Sequence, residues 1–144
     1  NRPMDGSSDW SSNPSSSGEE FSLDHKLRIL IVEDELLIAL DAEMALQDAG
    51  HDIVGTATTE EQAVEMAISQ KPELMIVDLR LAHGGCGRAA VERIRLILDV
   101  EVIFASGNLD PAMRARLEGL EPVAMLSKPY GGDELVRTVE TAAA

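Results

Sequence analysis

A chain of 144 residues, 44% hydrophobic but only 3% aromatic, is sized for one domain with an aliphatic core that buries roughly two thirds of its unfolded surface. Its net charge of −14 excludes direct binding to DNA phosphates or anionic lipid, which so acidic a surface repels. A single cysteine, Cys86, excludes an internal disulfide, and no apolar run reaches the ~20 residues of a membrane span, so a soluble, cytoplasmic protein is expected.

Residues 1–26 differ in kind from the rest. Eight serines lie between Ser7 and Ser22, interleaved with Pro3, Pro14, Gly6 and Gly18. So little apolar surface cannot offset the entropy of ordering, and a disordered tail or linker is expected, with Trp10 and Phe21 undocked. One folded domain is expected over residues 27–144. In it LRILIVE reads as a buried strand. Glu35 to Ala49 reads as a helix with Leu36, Leu40 and Met44 on one stripe and Gly50 as its stop. HDIVGTA is a second strand. Thr59 to Gln62 has the spacing of a capping box and opens a helix that Lys71-Pro72 closes. ELMIVD is the third strand, and a glycine-rich loop from Leu79 to Gly87 leads to a helix with Val91, Ile94 and Leu98 inward. VEVIFAS is the fourth strand, Asp110-Pro111 caps a short helix, VAMLS is the fifth strand, and the last helix runs from Asp133 to about Thr141. Five strands alternating with five helices predict a parallel sheet covered on both faces. From Ile29 to Gln70 there are ten acidic residues and no Lys or Arg, which reads equally as a solvated face or as one that receives a basic partner.

Four of the strand-like runs end in a different polar chemistry. RILIVEDE ends in Glu33, Asp34 and Glu35, ELMIVD in Asp78, VIFAS in Ser106, and VAMLSK in Lys128. In an open parallel sheet all strand carboxyl ends lie on one edge, where such folds place their sites. Like charges gathered there destabilise one another unless a cation neutralises them, and a hard divalent ion such as Mg²⁺ takes one or two carboxylates while keeping waters. Glu35 is expected only to cap the helix it precedes. Asp78 suits nucleophilic attack on phosphorus, with Lys128 and Ser106 placed to meet phosphoryl oxygens. His83 and Cys86 are too few to make a metal site on their own.

The set IVED, IVDL, FASG and LSKPY, in this order, resembles the receiver domain of bacterial two-component response regulators, from Leu27 to about Ala142. The resemblance implies a flavodoxin-like (βα)5 three-layer sandwich with a five-stranded parallel sheet in the order 2-1-3-4-5. It implies that Asp78 accepts a phosphoryl group from a sensor histidine kinase or a histidine phosphotransfer protein. Asp34 would then ligate Mg²⁺ directly, Glu33 would assist through water, and the backbone carbonyl of Arg80 would complete the protein ligands. Ser106 matches the hydroxyl that reorients on phosphorylation, and Lys128 the ion-pairing lysine ahead of a cis proline bond. Switching would reshape the face made by the fourth helix, fifth strand and fifth helix, in a monomer or a weak phosphorylation-dependent dimer. The module would be a switch that acts on itself and not a metabolic enzyme, either stand-alone or part of a hybrid kinase.

Three departures stand out. Ala82 replaces a common proline, the loop from His83 to Gly87 is one residue longer than usual, and Met125 replaces a frequent Tyr or Phe. FASGN with these departures looks like an alphaproteobacterial group of stand-alone receivers with an FATG-type motif. A competing reading is a small Mg²⁺-dependent aspartyl-phosphate hydrolase, although Arg80 stands where those enzymes carry a second acid. A flavin-binding relative is disfavoured by the acidic loop after the first strand.

Overall fold

The computed structural model describes residues 26–143, so the expectation of a disordered tail over residues 1–26 falls almost wholly outside the described residues. In chain order the elements are β1 (Arg28–Val32), α1 (Leu36–Asp48), β2 (Asp52–Ala57), α2 (Glu60–Gln70), β3 (Leu74–Asp78), α3 (Gly87–Arg95), β4 (Glu101–Ser106), α4 (Pro111–Glu118), β5 (Ala124–Ser127) and α5 (Gly132–Ala143). All strand pairs are parallel and the order is β2-β1-β3-β4-β5, the doubly wound arrangement expected of the alternating pattern.

Alternate residues of each strand feed two separate cores. Leu30, Val32, Met75, Val77, Val102 and Phe104 pack beneath α2, α3 and α4. Ile29, Ile31, Ile76, Ile103, Ala105 and Leu126 pack beneath α1 and α5. This is why the runs ILIV, LMIV and VIFA are apolar without alternation: both faces of the sheet are covered. No helix among the described residues is long and apolar enough to cross a membrane.

Local signals set the helix ends. Thr59 accepts from the Gln62 amide at 3.0 Å, but the Gln62 side chain returns to the Thr58 amide, at 2.8 Å, one residue before the box expected from the sequence. Lys71 closes α2 in the left-handed region at φ 49°. Asp110 caps α4 through the Met113 amide at 2.8 Å, with Pro111 in the first turn.

The stripe Leu36, Leu40 and Met44 does not face the core. These residues are 75%, 46% and 53% exposed, and α1 instead buries Ala39, Ala42 and Leu46. Small side chains allow α1 to sit close to its neighbours; a Cβ on Gly132, at the start of α5, would lie 3.1 Å from the Ala45 Cβ. The large residues are thereby turned outward, leaving an exposed apolar strip that also includes Leu37.

Register carries the polar residues to one edge. Val32 is level with Val77, so Glu33 and Asp78 stand abreast on neighbouring strands. Asp78 is level with Ala105, and Ser106 with Ser127, which sets Ser106 and Lys128 one step beyond. The chain after Asp78 is then pinned: the Gly87 amide donates to the Leu79 carbonyl at 2.9 Å, and a Cβ on Gly87 would lie 2.7 Å from Val77 Cγ1, so only hydrogen fits there.

Candidate functional site

Glu33, Asp34 and Asp78 each offer a carboxylate oxygen within 4.8 Å of the others. Glu33 and Asp78 are buried, at 3% and 6% exposure, whereas Asp34 is exposed. Neighbouring strands are about 4.8 Å apart, so β5 stands about 10 Å from β3 and the Lys128 stem has to cross the end of β4 to reach Asp78. It does so: its Nζ lies 2.9 Å from Glu33 Oε1 and 3.2 Å from Asp78 Oδ2. The Lys128-Pro129 peptide is cis, as the resemblance implies.

One ammonium among three carboxylates leaves negative charge unbalanced. Burial pushes the Glu33 carboxyl up to about 7, against the opposing hydrogen bonds from Lys128 and from the Glu35 amide. Burial draws the Lys128 ammonium down, but Glu33 and Asp78 outweigh it, and its pKa stands above the ordinary value. A set of hard oxygen donors that share one cation and still carry excess negative charge is the chemistry that suits a divalent ion such as Mg²⁺. Glu33, Asp34 and Asp78 are the one such group of three or more potential ligands among the described residues, and neither His83 nor Cys86 belongs to one.

A cleft of about 690 Å³ opens over these acids, walled by Asp34, Asp78, Arg80, Asn108, Lys128 and Tyr130. Arg80 is exposed, and its amide approaches Asp78 Oδ1 at 3.4 Å. Ser106 is not part of this wall. Its hydroxyl accepts from the Asn108 amide at 3.0 Å, and the following residues, Gly107 and Asn108, face the cleft instead. Glu35 occupies the cap position of α1 but makes no capping hydrogen bond; its carboxylate lies 3.9 Å from Lys128 Nζ. The expectation that Glu35 caps the helix thus holds for its position and not for a capping bond. Sequence reasoning gave Tyr130 and Asn108 no role. Tyr130 follows the KP pair directly; burial, and then the charge of Glu33, push its phenol up to about 12.

The Glu33 shift fixes a pH dependence. Its carboxyl releases its proton near 4.5 when unfolded and near 7 when folded, so it contributes stability below about 4.5 that is lost as pH rises through about 7. In chelator, the unfolding free energy of the wild type relative to Glu33→Gln should fall by about 1–3 kcal/mol between about pH 5 and about pH 8. Urea denaturation at the two pH values checks this, and a constant difference contradicts it.

Comparison with known proteins agrees with this geometry. Residues 29–140 match the response regulator receiver domain family. The phyllosphere-induced regulator PhyR of Methylorubrum extorquens is 36% identical, over 78% of this chain and 42% of that protein. The transcriptional regulatory protein PdtaR of Mycobacterium tuberculosis is 35% identical, over 80% of this chain and 56% of that protein. The chain thus spans about half the length of the curated relatives it matches. The receiver domain of Erythrobacter litoralis PhyR superposes with a TM-score of 0.69 at 38% identity, covering 81% of this chain and 89% of that one. Repeated likeness to PhyR supports the narrower resemblance drawn from FASGN. With its sheet order, its acid cluster and a family match over most of its length, the chain belongs to the receiver domains of response regulators, the signalling modules of two-component systems.

Proposed function

We propose that Asp78 is the phosphoacceptor of this receiver, taking its phosphoryl group from a histidine of a sensor kinase or phosphotransfer protein. The observation that carries the reading is a buried carboxylate at the floor of a solvent-open cleft, bonded to an ammonium and flanked by two further carboxylates. In the transfer an Asp78 oxygen attacks phosphorus, the phosphorus–nitrogen bond of the phosphohistidine breaks, and the imidazole leaves with the electron pair. Lys128 follows the incoming charge and pairs with a phosphoryl oxygen. Ser106 gives up its bond to the Asn108 amide and donates its hydroxyl to another. Glu33, Asp34, Asp78 and the Arg80 carbonyl would hold Mg²⁺, with Glu33 assisting from behind the direct ligands. When bound there, Mg²⁺ supplies positive charge to the transferring oxygens. The result is a switch that reshapes the α4-β5-α5 face, in a monomer or weak dimer and in the cytoplasm.

The hydrolase alternative is not favoured, because Arg80 offers no carboxylate for acid–base work beside Asp78. Acetyl phosphate with Mg²⁺ should add one phosphoryl group to the wild type by intact mass and none to Asp78→Asn. Asp34→Ala should weaken Mg²⁺ binding at least ~10-fold in a calorimetric titration, about 1.4 kcal/mol. Labelling of Asp78→Asn, or steady turnover of a phosphomonoester by the wild type, contradicts the assignment.

The outward strip of α1 is the proposed seat of the phosphodonor. A donor histidine has to enter the cleft, so its protein must cover the cleft's rim, where α1 contributes Glu35 and Ile38 and continues into Leu36, Leu37, Leu40 and Met44. Contiguous apolar surface of this kind marks an interaction site. Replacing Leu36 and Leu40 with serine should slow transfer from a histidine-phosphorylated donor protein at least ~10-fold and leave labelling by acetyl phosphate unchanged. Equal slowing of both reactions would mean that the strip serves the fold and not the donor.

A further inference from the structure

We propose that Arg114 takes the part of the absent aromatic switch: its guanidinium clasps the loop after β4 to β5 and lets go when Asp78 is phosphorylated. The inference rests on the phosphoacceptor reading and extends it to how the signal leaves the site.

The loop from Gly107 to Asp110 is the only covalent link between Ser106 and α4, and it is held at three points. The Asn108 amide donates to Ser106 Oγ at 3.0 Å, Asp110 is fixed by its cap to the Met113 amide at 2.8 Å, and between them the Leu109 carbonyl accepts from Arg114 Nε at 3.0 Å. The same guanidinium places Nη1 4.0 Å from Met125 Sδ. Leu109, Met113 and Met125 are half-buried on one core, so the exposed Arg114 bridges a loop residue and a β5 residue that share a packing site. Met125 also lines a groove of about 450 Å³ with Ala124, Arg137 and Thr138, between β5 and α5. A continuous chain of contacts therefore runs from Ser106 through Leu109 and Arg114 to the wall of that groove.

The chemistry of each contact gives the direction of the change. When Ser106 turns its hydroxyl to a phosphoryl oxygen, the Asn108 amide loses its acceptor, and the loop has to rearrange to satisfy it. The Leu109 carbonyl moves with the loop. A guanidinium is a rigid planar fork, so losing the bond at Nε carries Nη1 away from Met125 as well. A thioether is a weak acceptor, so this second contact offers little resistance. Met125, unbranched and freed of its cover, then repacks without the fixed pose an aromatic ring would impose. In an aromatic-switch receiver a ring swings inward; here a guanidinium swings outward and frees its positive charge on the α4-β5-α5 face.

The test follows the Arg114 side-chain Nε–H by NMR in the full chain, treated with acetyl phosphate and Mg²⁺, with intact mass recorded in parallel. At full labelling, solvent exchange of this proton should rise at least ~10-fold. Arg114→Ala should accept label to the wild-type extent, keep the shift change at Asn108, and lose more than half of the shift changes over Ala124–Ser127. Arg114→Lys, which keeps the charge but not the fork, should behave as Arg114→Ala. An unmoved Nε–H signal at full labelling overturns the proposal, as does a full β5 response in either variant. Failure of the wild type to take any label overturns the phosphoacceptor reading first, and this inference with it.

Discussion

Everything at the site depends on one ammonium being shared between two buried carboxylates. Lys128 reaches Glu33 at 2.9 Å and Asp78 at 3.2 Å across the end of an intervening strand, and among the described residues it is the only amine that touches either. Two buried acids on adjacent strands are tolerable only with such a partner, since desolvation of an unpaired carboxylate costs several kcal/mol. The partner is nevertheless insufficient, because Glu33 still holds its proton to about 7. The fold thus keeps a site that is underneutralised by construction. In the proposed reaction a divalent cation and then a phosphoryl group would arrive where compensating charge is already arranged, which is the sense in which the domain is poised.

The sheet supplies that geometry from very simple sequence. Parallel register places Glu33 beside Asp78 and sets Ser106 at the end of its strand and Lys128 one residue past its own. The polar terminus of each apolar run was therefore legible: strand carboxyl ends share an edge, whatever the details of the loops. Helix caps at Thr59 and Asp110 were legible for a similar reason, since a hydroxyl or carboxylate three residues before an amide has one obvious partner.

Other features were hidden in the sequence for identifiable physical causes. The α1 stripe misled because helical periodicity names a face without saying which neighbour that face meets. In LLIALDAEMALQD two apolar faces compete, and the closer packing of Ala39, Ala42 and Leu46 decides against the larger one. The displaced side chains form the exposed apolar strip on which the proposed seat of the donor rests. Ser106 turned out to bond within its own loop and not to face the cleft, because a short hydroxyl side chain readily takes a nearby backbone amide. The Arg114 clasp joins residues on three elements, and no local spacing announces a contact of that kind.

The central claim is that Lys128 and a divalent cation do the same electrostatic work on Glu33 and Asp78. The most direct measurement is the unfolding free energy of wild type and Lys128→Met, each in chelator and in saturating Mg²⁺. Without Mg²⁺, Lys128→Met should be less stable by about 1–3 kcal/mol, since two buried acids lose their partner. The stabilisation gained from Mg²⁺ should be larger in Lys128→Met than in the wild type by about 1 kcal/mol or more, because the more negative site binds the cation more tightly. An equal gain in both proteins, or a Lys128→Met that is the more stable of the two in chelator, would contradict the account.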